Sequence, residues 1–259
     1  MKDAVEYNSN AWDALVGRGD KWTIPVSTEE INRARAGTWS VVLTPSKPVP
    51  RDWFGDVKGR DILCLASGGG QQAPVLAAAG ANVTSFDNSA KQLESDRLVA
   101  EREGLKIRLE KGDSADLSRF ANESFDLIFH TCSNCFMPEL QPIWNECFRV
   151  LRPGGGLLTG FTKPELFIFD WLEEERTGEL EVRFSLPYTD QGSLEPDELQ
   201  MVLERGQPLE FSHTLEEQIG GQTNAGFHIV GIFEDYWNDP NRPIDRHMPA
   251  FIATRALKP

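Results

Sequence analysis

Leu63-Cys64-Leu65-Ala66-Ser67-Gly68-Gly69-Gly70-Gln71-Gln72 runs from apolar residues into a cluster of small ones and then into an amphipathic stretch. Residues 61–65 read as a buried strand, and 72–79 as a helix that stops at Gly80. Small side chains at Ala66, Gly68 and Gly70 let the backbone approach a ligand closely, and the helix start supplies N–H groups to it. A plain strand-to-helix turn uses the same residues, so the loop alone decides nothing. Asp87 supplies the second half of the pattern. It ends the next apolar run, residues 82–86, where a carboxylate can accept hydrogen bonds from both ribose hydroxyls of an adenosine-containing ligand. Loop and acid together point to a nucleoside ligand at the switch point of a parallel sheet.

Beyond Asp87, Ser89 is placed to cap a helix over 91–103 that Gly104 ends. Apolar runs at 106–110, 124–130 and 156–161 predict further strands, with a helix closing over 144–151 between the last two. This alternation predicts an α/β fold built on a Rossmann-like, doubly wound and mostly parallel sheet. Two more strand-like runs, 228–233 and 249–255, follow a helix opened by the capping box Thr214-Leu215-Glu216-Glu217.

Residues 1–55 read as an N-terminal helical arm. Ser27-Thr28-Glu29-Glu30 is a capping box, Gly37 ends the helix it opens, and Pro45, Pro48 and Pro50 make an extended connector. Residues 56–259 then form the main domain. Within it, 162–213 departs from the strand–helix rhythm, with strand-like pieces such as 181–186, and reads as a lid-like insertion on the substrate side.

The chain of 259 residues carries a formal net charge of −14. Nucleic-acid affinity rests on clustered Lys and Arg, so nucleic acid is not the expected partner. Residues 1–10 are polar and acidic, unlike a secretory leader, and Asp170 interrupts even the apolar stretch 166–172, so no membrane span is expected. A cytoplasmic protein with reduced thiols follows. Cys64, Cys132, Cys135 and Cys147 are too irregularly spaced for a disulfide framework. Cys132-Ser133-Asn134-Cys135 has redox or zinc spacing, but no second ligand pair follows. No metal site is expected, and these thiols read as lining a cleft.

Gly68-x-Gly70-x-x-Ala73 can be written as a dinucleotide fingerprint, but in that motif the first glycine follows the strand directly, whereas Ala66 and Ser67 intervene here. The looser turn suits a methyl donor, which has no pyrophosphate. From residue 60 to 161, and again from 226 onward, the chain resembles class I S-adenosylmethionine-dependent methyltransferases, particularly the type 11 group that includes quinone-biosynthesis enzymes. The resemblance rests on four blocks: Leu65-Ala66-Ser67-Gly68-Gly69-Gly70, Phe86-Asp87-Asn88-Ser89, Gly112-Asp113-Ser114, and Phe125-Asp126-Leu127-Ile128 leading to Val150-Leu151-Arg152-Pro153-Gly154-Gly155.

The resemblance implies S-adenosylmethionine as the cofactor and an antiparallel strand at the C-terminal end of the sheet. Gly68 and Gly70 match the loop beside the methionine moiety, with Ala66, Ser67 and Gln71 around them. Asp87 matches the ribose-binding acid, with Asn88 after it. Asp113 matches the acid near the adenine amino group, and Ser114 would offer its N–H to the ring. His130 ends strand four, where the family brings sulfonium and acceptor together. Two positions depart from the pattern. Cys64 stands where the family has an acid, and Ala66 replaces the first loop glycine, which an alanine tolerates at negative φ. Gln71 and Gln72 are candidates to replace the missing polar contact.

The implied chemistry is in-line transfer of a methyl group to a small-molecule acceptor, with a base only where the acceptor must lose a proton. His130 is the first candidate base and His213 the second. Tyr7, Trp12, Trp22 and Trp39 of the arm, with the 162–213 insertion, are candidate acceptor-binding elements. Two other readings stay open: a nicotinamide-dependent oxidoreductase, and a catalytically silent relative that binds without turnover. Acceptor, accepting atom and oligomeric state are not legible in the sequence.

Overall fold

A computed structural model describes residues 2–259. In β1 (Asp61–Leu65), Ile62, Leu63, Cys64 and Leu65 are all fully buried, the pattern of a central parallel strand covered on both faces. β1 pairs in parallel with β2 (Asn82–Asp87) and with β4 (Phe125–His130). β3 (Ile107–Lys111) extends the sheet beyond β2, and β5 (Leu151–Thr162) extends it beyond β4. β7 (Phe251–Leu257) runs antiparallel both to β5 and to the edge strand β6 (His228–Asp235). The order β3-β2-β1-β4-β5-β7-β6 is the doubly wound sheet with an antiparallel C-terminal strand that the sequence predicts. Strand order reverses beside β1, which opens a crevice at the carboxyl ends of β1 and β4.

Alternate residues of the central strands feed two cores, as the two-residue period of a strand requires. Ile62, Cys64 and Phe129 pack with Val75 and Leu76 of α3 (Gln72–Ala78) and with Val99 of α4 (Ala90–Glu103). Leu63, Leu65 and Ile128 pack on the other face with Ile143, Trp144 and Cys147 of α5 (Gln141–Val150). β5 starts earlier than its apolar run, because Leu151 already pairs with Phe125 before the register shifts at the Pro153-Gly154-Gly155 turn.

The arm contains α1 (Lys2–Arg18), whose apolar residues are too sparse to announce it, and α2 (Thr28–Arg35), opened by the reciprocal Ser27–Glu30 capping box. After β5 the chain is helical rather than strand-like, with α6 (Trp171–Thr177), α7 (Asp190–Ser193) and α8 (Pro196–Glu204). The alternating segment 181–186 forms only an isolated bridge, Val182 to Phe169. Its alternation serves packing instead: Phe184 meets Tyr188, while Arg183 pairs with Asp170 and Glu198. The Thr214–Glu217 box forms, but it opens onto a wide π-type turn, Glu216–Gly220, before α9 (Gly221–Asn224). No helix among the described residues is long and apolar enough to cross a membrane.

Candidate active site

The carboxyl ends of β1, β2 and β4 open into a cavity of about 1120 Å³, walled on its far side by α1 and by residues of the segment between β5 and β6. Ala66, Ser67, Gly68, Gln71, Asp87, Asn88, Asp113 and Ser114 all stand on its wall; Gly70 and His130 do not.

Asp87 organises this half. One carboxylate oxygen accepts the Gly68 N–H at 3.0 Å and the other accepts the Ser89 N–H at 2.8 Å. Burial raises its pKa against the opposing pull of these backbone donors. The Asn88 N–H pulls in the same direction, and the carboxylate stands on the cavity wall. A side chain at Gly68 would put its Cβ 2.8 Å from Gln92 Cβ and 3.2 Å from Asp87 Oδ2, so only glycine lets the loop lie this close to α4. Ser67 Oγ and Gln92 Oε1 are buried on the same wall without a hydrogen-bond partner among the described residues. Such atoms are costly to leave unmet, so they mark where a polar ligand fits. Asp113 spends one oxygen on the Ala115 N–H at 3.0 Å. Asn88 is held by α1, donating to Val5 O at 2.9 Å while its own carbonyl accepts from Ser9 Oγ at 2.7 Å.

Gly70 shapes the loop from behind rather than lining the cavity. At φ +74° it packs against the arm, where an added Cβ would fall 2.8 Å from Pro25 Cβ. Its N–H donates to Asp96 Oδ1 at 2.7 Å, and Ser85 Oγ donates to Asp96 Oδ2 at 2.5 Å. Asp96 is fully buried, and burial pushes its pKa up to about 7. Cys64 has no carboxylate of its own to offer at the end of β1, and its thiol pKa is raised by its own burial and then by Asp96 of α4. Nothing in the α4 sequence distinguishes Asp96 from a solvated helix residue. Ala66 corrects a second expectation: its φ is +46°, in the left-handed region rather than at negative φ. Gln71 and Gln72 also touch the cavity, but Gln71 Nε2 donates to Ile24 O and Gln72 Oε1 accepts from Val42 N, so both amides tie the loop to the arm.

His130 is fully buried, and both ring nitrogens are engaged. Nδ1 lies 3.0 Å from the Leu65 carbonyl, which can only accept, so Nδ1 carries a proton. Nε2 lies 2.7 Å from the Asn134 side-chain amide, which in turn lies 2.6 Å from that of Gln218. Burial lowers the His130 pKa, and Asn134, whose Oδ1 faces Nε2, carries the network onward by donating Nδ2–H to Gln218 Oε1. No ring nitrogen is left for an acceptor. His213 has Nε2 committed to Met137 O at 2.8 Å, Nδ1 3.9 Å from Glu217, and its pKa lowered by burial.

The other half of the cavity is aromatic, with Phe167, Phe169, Trp171, Tyr188, Trp237 and Phe251 on its wall. Trp12 and Trp22 of the arm join it; Tyr7 and Trp39 do not. Tyr7 donates to Gln207 O at 3.0 Å, and Trp39 packs on Phe54 under Arg51. Cys132 and Cys135 reach the wall as free thiols, with burial pushing Cys132 up to about 12 and Cys135 upward too. Two acids that the sequence does not single out, Asp190 and Glu210, lie among these groups.

Residues 63–159 match a family model described as a methyltransferase domain. Over 258 residues, 100% of each chain, this protein is 46% identical to an uncharacterized methyltransferase, YbaJ, of Bacillus subtilis. The chain belongs to the S-adenosylmethionine-dependent methyltransferases. A solved methyltransferase of that dependence from Mesorhizobium loti matches with a TM-score of 0.63 over 80% of this chain and 95% of its own, at 19% identity, a likeness of fold. A sterol 24-C-methyltransferase of Neurospora crassa is 25% identical over 196 residues, 75% of this chain but 45% of that one. The reaction of this methyltransferase is transfer of a methyl group from S-adenosylmethionine, and the relatives favour neither the nicotinamide nor the silent-binding reading.

Proposed function

We propose that this methyltransferase holds S-adenosylmethionine between the 66–71 loop and the end of β2, and methylates a small, largely apolar acceptor enclosed by α1 and the 162–213 segment. The observation that carries this reading is the Asp87 carboxylate, fixed by Gly68 and Ser89 and still open to the cavity. Asp87 would accept from the ribose hydroxyls, Asp113 and Ser114 would meet the adenine, and Ser67 with Gln92 would meet polar atoms of the donor. When bound, the sulfonium supplies an activated methyl group, so the chain's own task is to align the acceptor and exclude water. The aromatic wall suits that task, and the sterol specificity of a partial relative is compatible with an apolar acceptor. Four free cysteines fit a reducing compartment such as the cytosol.

Calorimetric titration with S-adenosylmethionine and S-adenosylhomocysteine tests the assignment. Both bind, and Asp87→Ala weakens them by about tenfold to a hundredfold, the worth of hydrogen bonds to a charged group. Absence of binding at millimolar ligand refutes it.

A further inference from the structure

The acceptor half is aromatic, but its charges are one-sided. Glu174, Glu175, Asp190 and Glu210 line it; Glu174 engages Arg242 at 3.3 Å and Glu175 pairs with Arg205 at 3.1 Å, while Lys111 lines the cavity beside Asp113. An acceptor bearing a carboxylate or phosphate would meet these acids, and Arg242 is already committed to one of them. Glu210 stands out among them. Its main chain is clamped on both sides, with its N–H donating to Asp190 Oδ2 at 2.8 Å and its carbonyl accepting the Asp190 N–H at 3.1 Å. The next residue, Phe211, donates its N–H to Cys135 O at 2.7 Å, which pins Glu210 to the loop leaving β4, on the side where the methyl group is delivered. The Glu210 side chain lines the cavity, and no described residue donates a hydrogen bond to its carboxylate. Asp190, by contrast, is occupied by Tyr188 Oη at 2.7 Å and by the Glu210 N–H. One acid is built into the wall, and the other is presented to the ligand.

Resting on the methyl-donor reading above, we propose that Glu210 is the acidic pole of the acceptor site and that the acceptor is an amine carried on an apolar or aromatic body. Rings at Phe167, Trp171, Tyr188 and Trp237 suit both halves of such a ligand, its apolar body and its cation. The chemistry balances without a further reactant. An ammonium N–H gives its proton to the Glu210 carboxylate. The freed nitrogen lone pair then forms the N–CH₃ bond as the C–S bond breaks, with the bonding pair staying on sulfur. The product is a new ammonium and a neutral thioether, and Glu210 returns its proton to solvent.

Burial, and next Asp190, push the Glu210 pKa up to about 8, with Arg242 opposing. The groups facing it are Asp190 and Tyr188 from the α7 stretch, Arg242 with its partner Glu174, and the protonated thiols of Cys132 and Cys135. Attraction for an ammonium therefore grows as Glu210 ionises, from below neutrality toward pH 8.5.

The test uses three probes of matched size, 2-phenylethylamine, 2-phenylethanol and 3-phenylpropionate, titrated into the whole protein with and without S-adenosylhomocysteine. The amine binds at least about tenfold more tightly than either partner. Its affinity rises between pH 6.5 and 8.5, and Glu210→Gln removes both the preference and the pH dependence. S-adenosylhomocysteine affinity, measured on the same samples, stays at the wild-type value and shows that the variant is folded. Equal binding of the three probes, no amine binding at 10 mM, or a preference that survives in Glu210→Gln overturns the proposal. Loss of S-adenosylhomocysteine binding in the wild type counts instead against the donor reading, because the preference is also measured without it.

Discussion

Asp96 holds the amide of Gly70 at 2.7 Å from behind the loop, so a carboxylate on α4 fixes the course of the loop without itself lining the cavity. Because it also accepts from Ser85 on β2, the same group locks loop, sheet and helix together. Its folded pKa, about 7, lies above the ordinary value of 3.8. The linked stability is therefore full below about pH 4 and is lost as pH rises through about 7. Melting temperature should fall from pH 5.5 to 8.5, and Asp96→Asn, which can still accept from Gly70, should make that slope shallower, leaving the part that Glu210 contributes. Asp96→Ala should cost about 2–3 kcal/mol by stranding a buried N–H. Thermal melts across pH read both outcomes.

Ala66 occupies the left-handed region at φ +46°, a conformation that costs an L-residue about 1–2 kcal/mol. Ala66→Gly removes that strain but adds backbone freedom to the unfolded chain, for a net gain of about 0.5–1 kcal/mol. Urea denaturation, with an unchanged m-value, is the check.

Gly68→Ala acts in the opposite sense. Its Cβ would meet Gln92 Cβ and press on the Asp87 carboxylate. Overpacking of this kind costs about 1–3 kcal/mol, and the displaced acid should weaken S-adenosylhomocysteine by about tenfold. Calorimetry distinguishes this from Ala66→Gly, which keeps full affinity.

His130 should protonate below the ordinary histidine range, because burial lowers its pKa. A depressed histidine contributes stability that is present above the unfolded pKa and lost as pH falls through it. Its ring proton NMR shifts should titrate with a midpoint below 6.5. His130→Ala should cost about 3 kcal/mol by breaking the network, without altering the pH profile of turnover. A ring titrating near pH 6.5 would contradict this.

The sheet was legible because its information is local: periodicity located β1, β2 and β4, and small residues before a helix start located the loop. Asp87 was legible for the same reason, as an acid at a strand end. Asp96 and Glu210 were not, since each acquires its role only by burial against distant segments, Asp96 beneath Gly70 and Glu210 beside Asp190 and Cys135. His130 shows the converse. Its place at the end of β4 was read correctly from sequence, but whether a ring faces a cavity or the Asn134–Gln218 chain depends on the π-type turn at Glu216–Gly220, which no local pattern announces. The strand-like alternation at 181–186 misled because ion pairs and ring packing can impose the same two-residue rhythm as a sheet.

The two ends of the polypeptide are not equivalent for anyone building on this protein. α1 supplies Val5, Glu6, Asn8, Ser9 and Trp12 to the cavity wall, so a change within this helix reaches the site directly. β7 runs the other way: Leu257 pairs with Gly156, at the opposite rim of the sheet from Thr162 and Phe251. A label placed at the Leu257 end of β7 stands a strand's length, about 20 Å, from the rim of the sheet that carries the cavity.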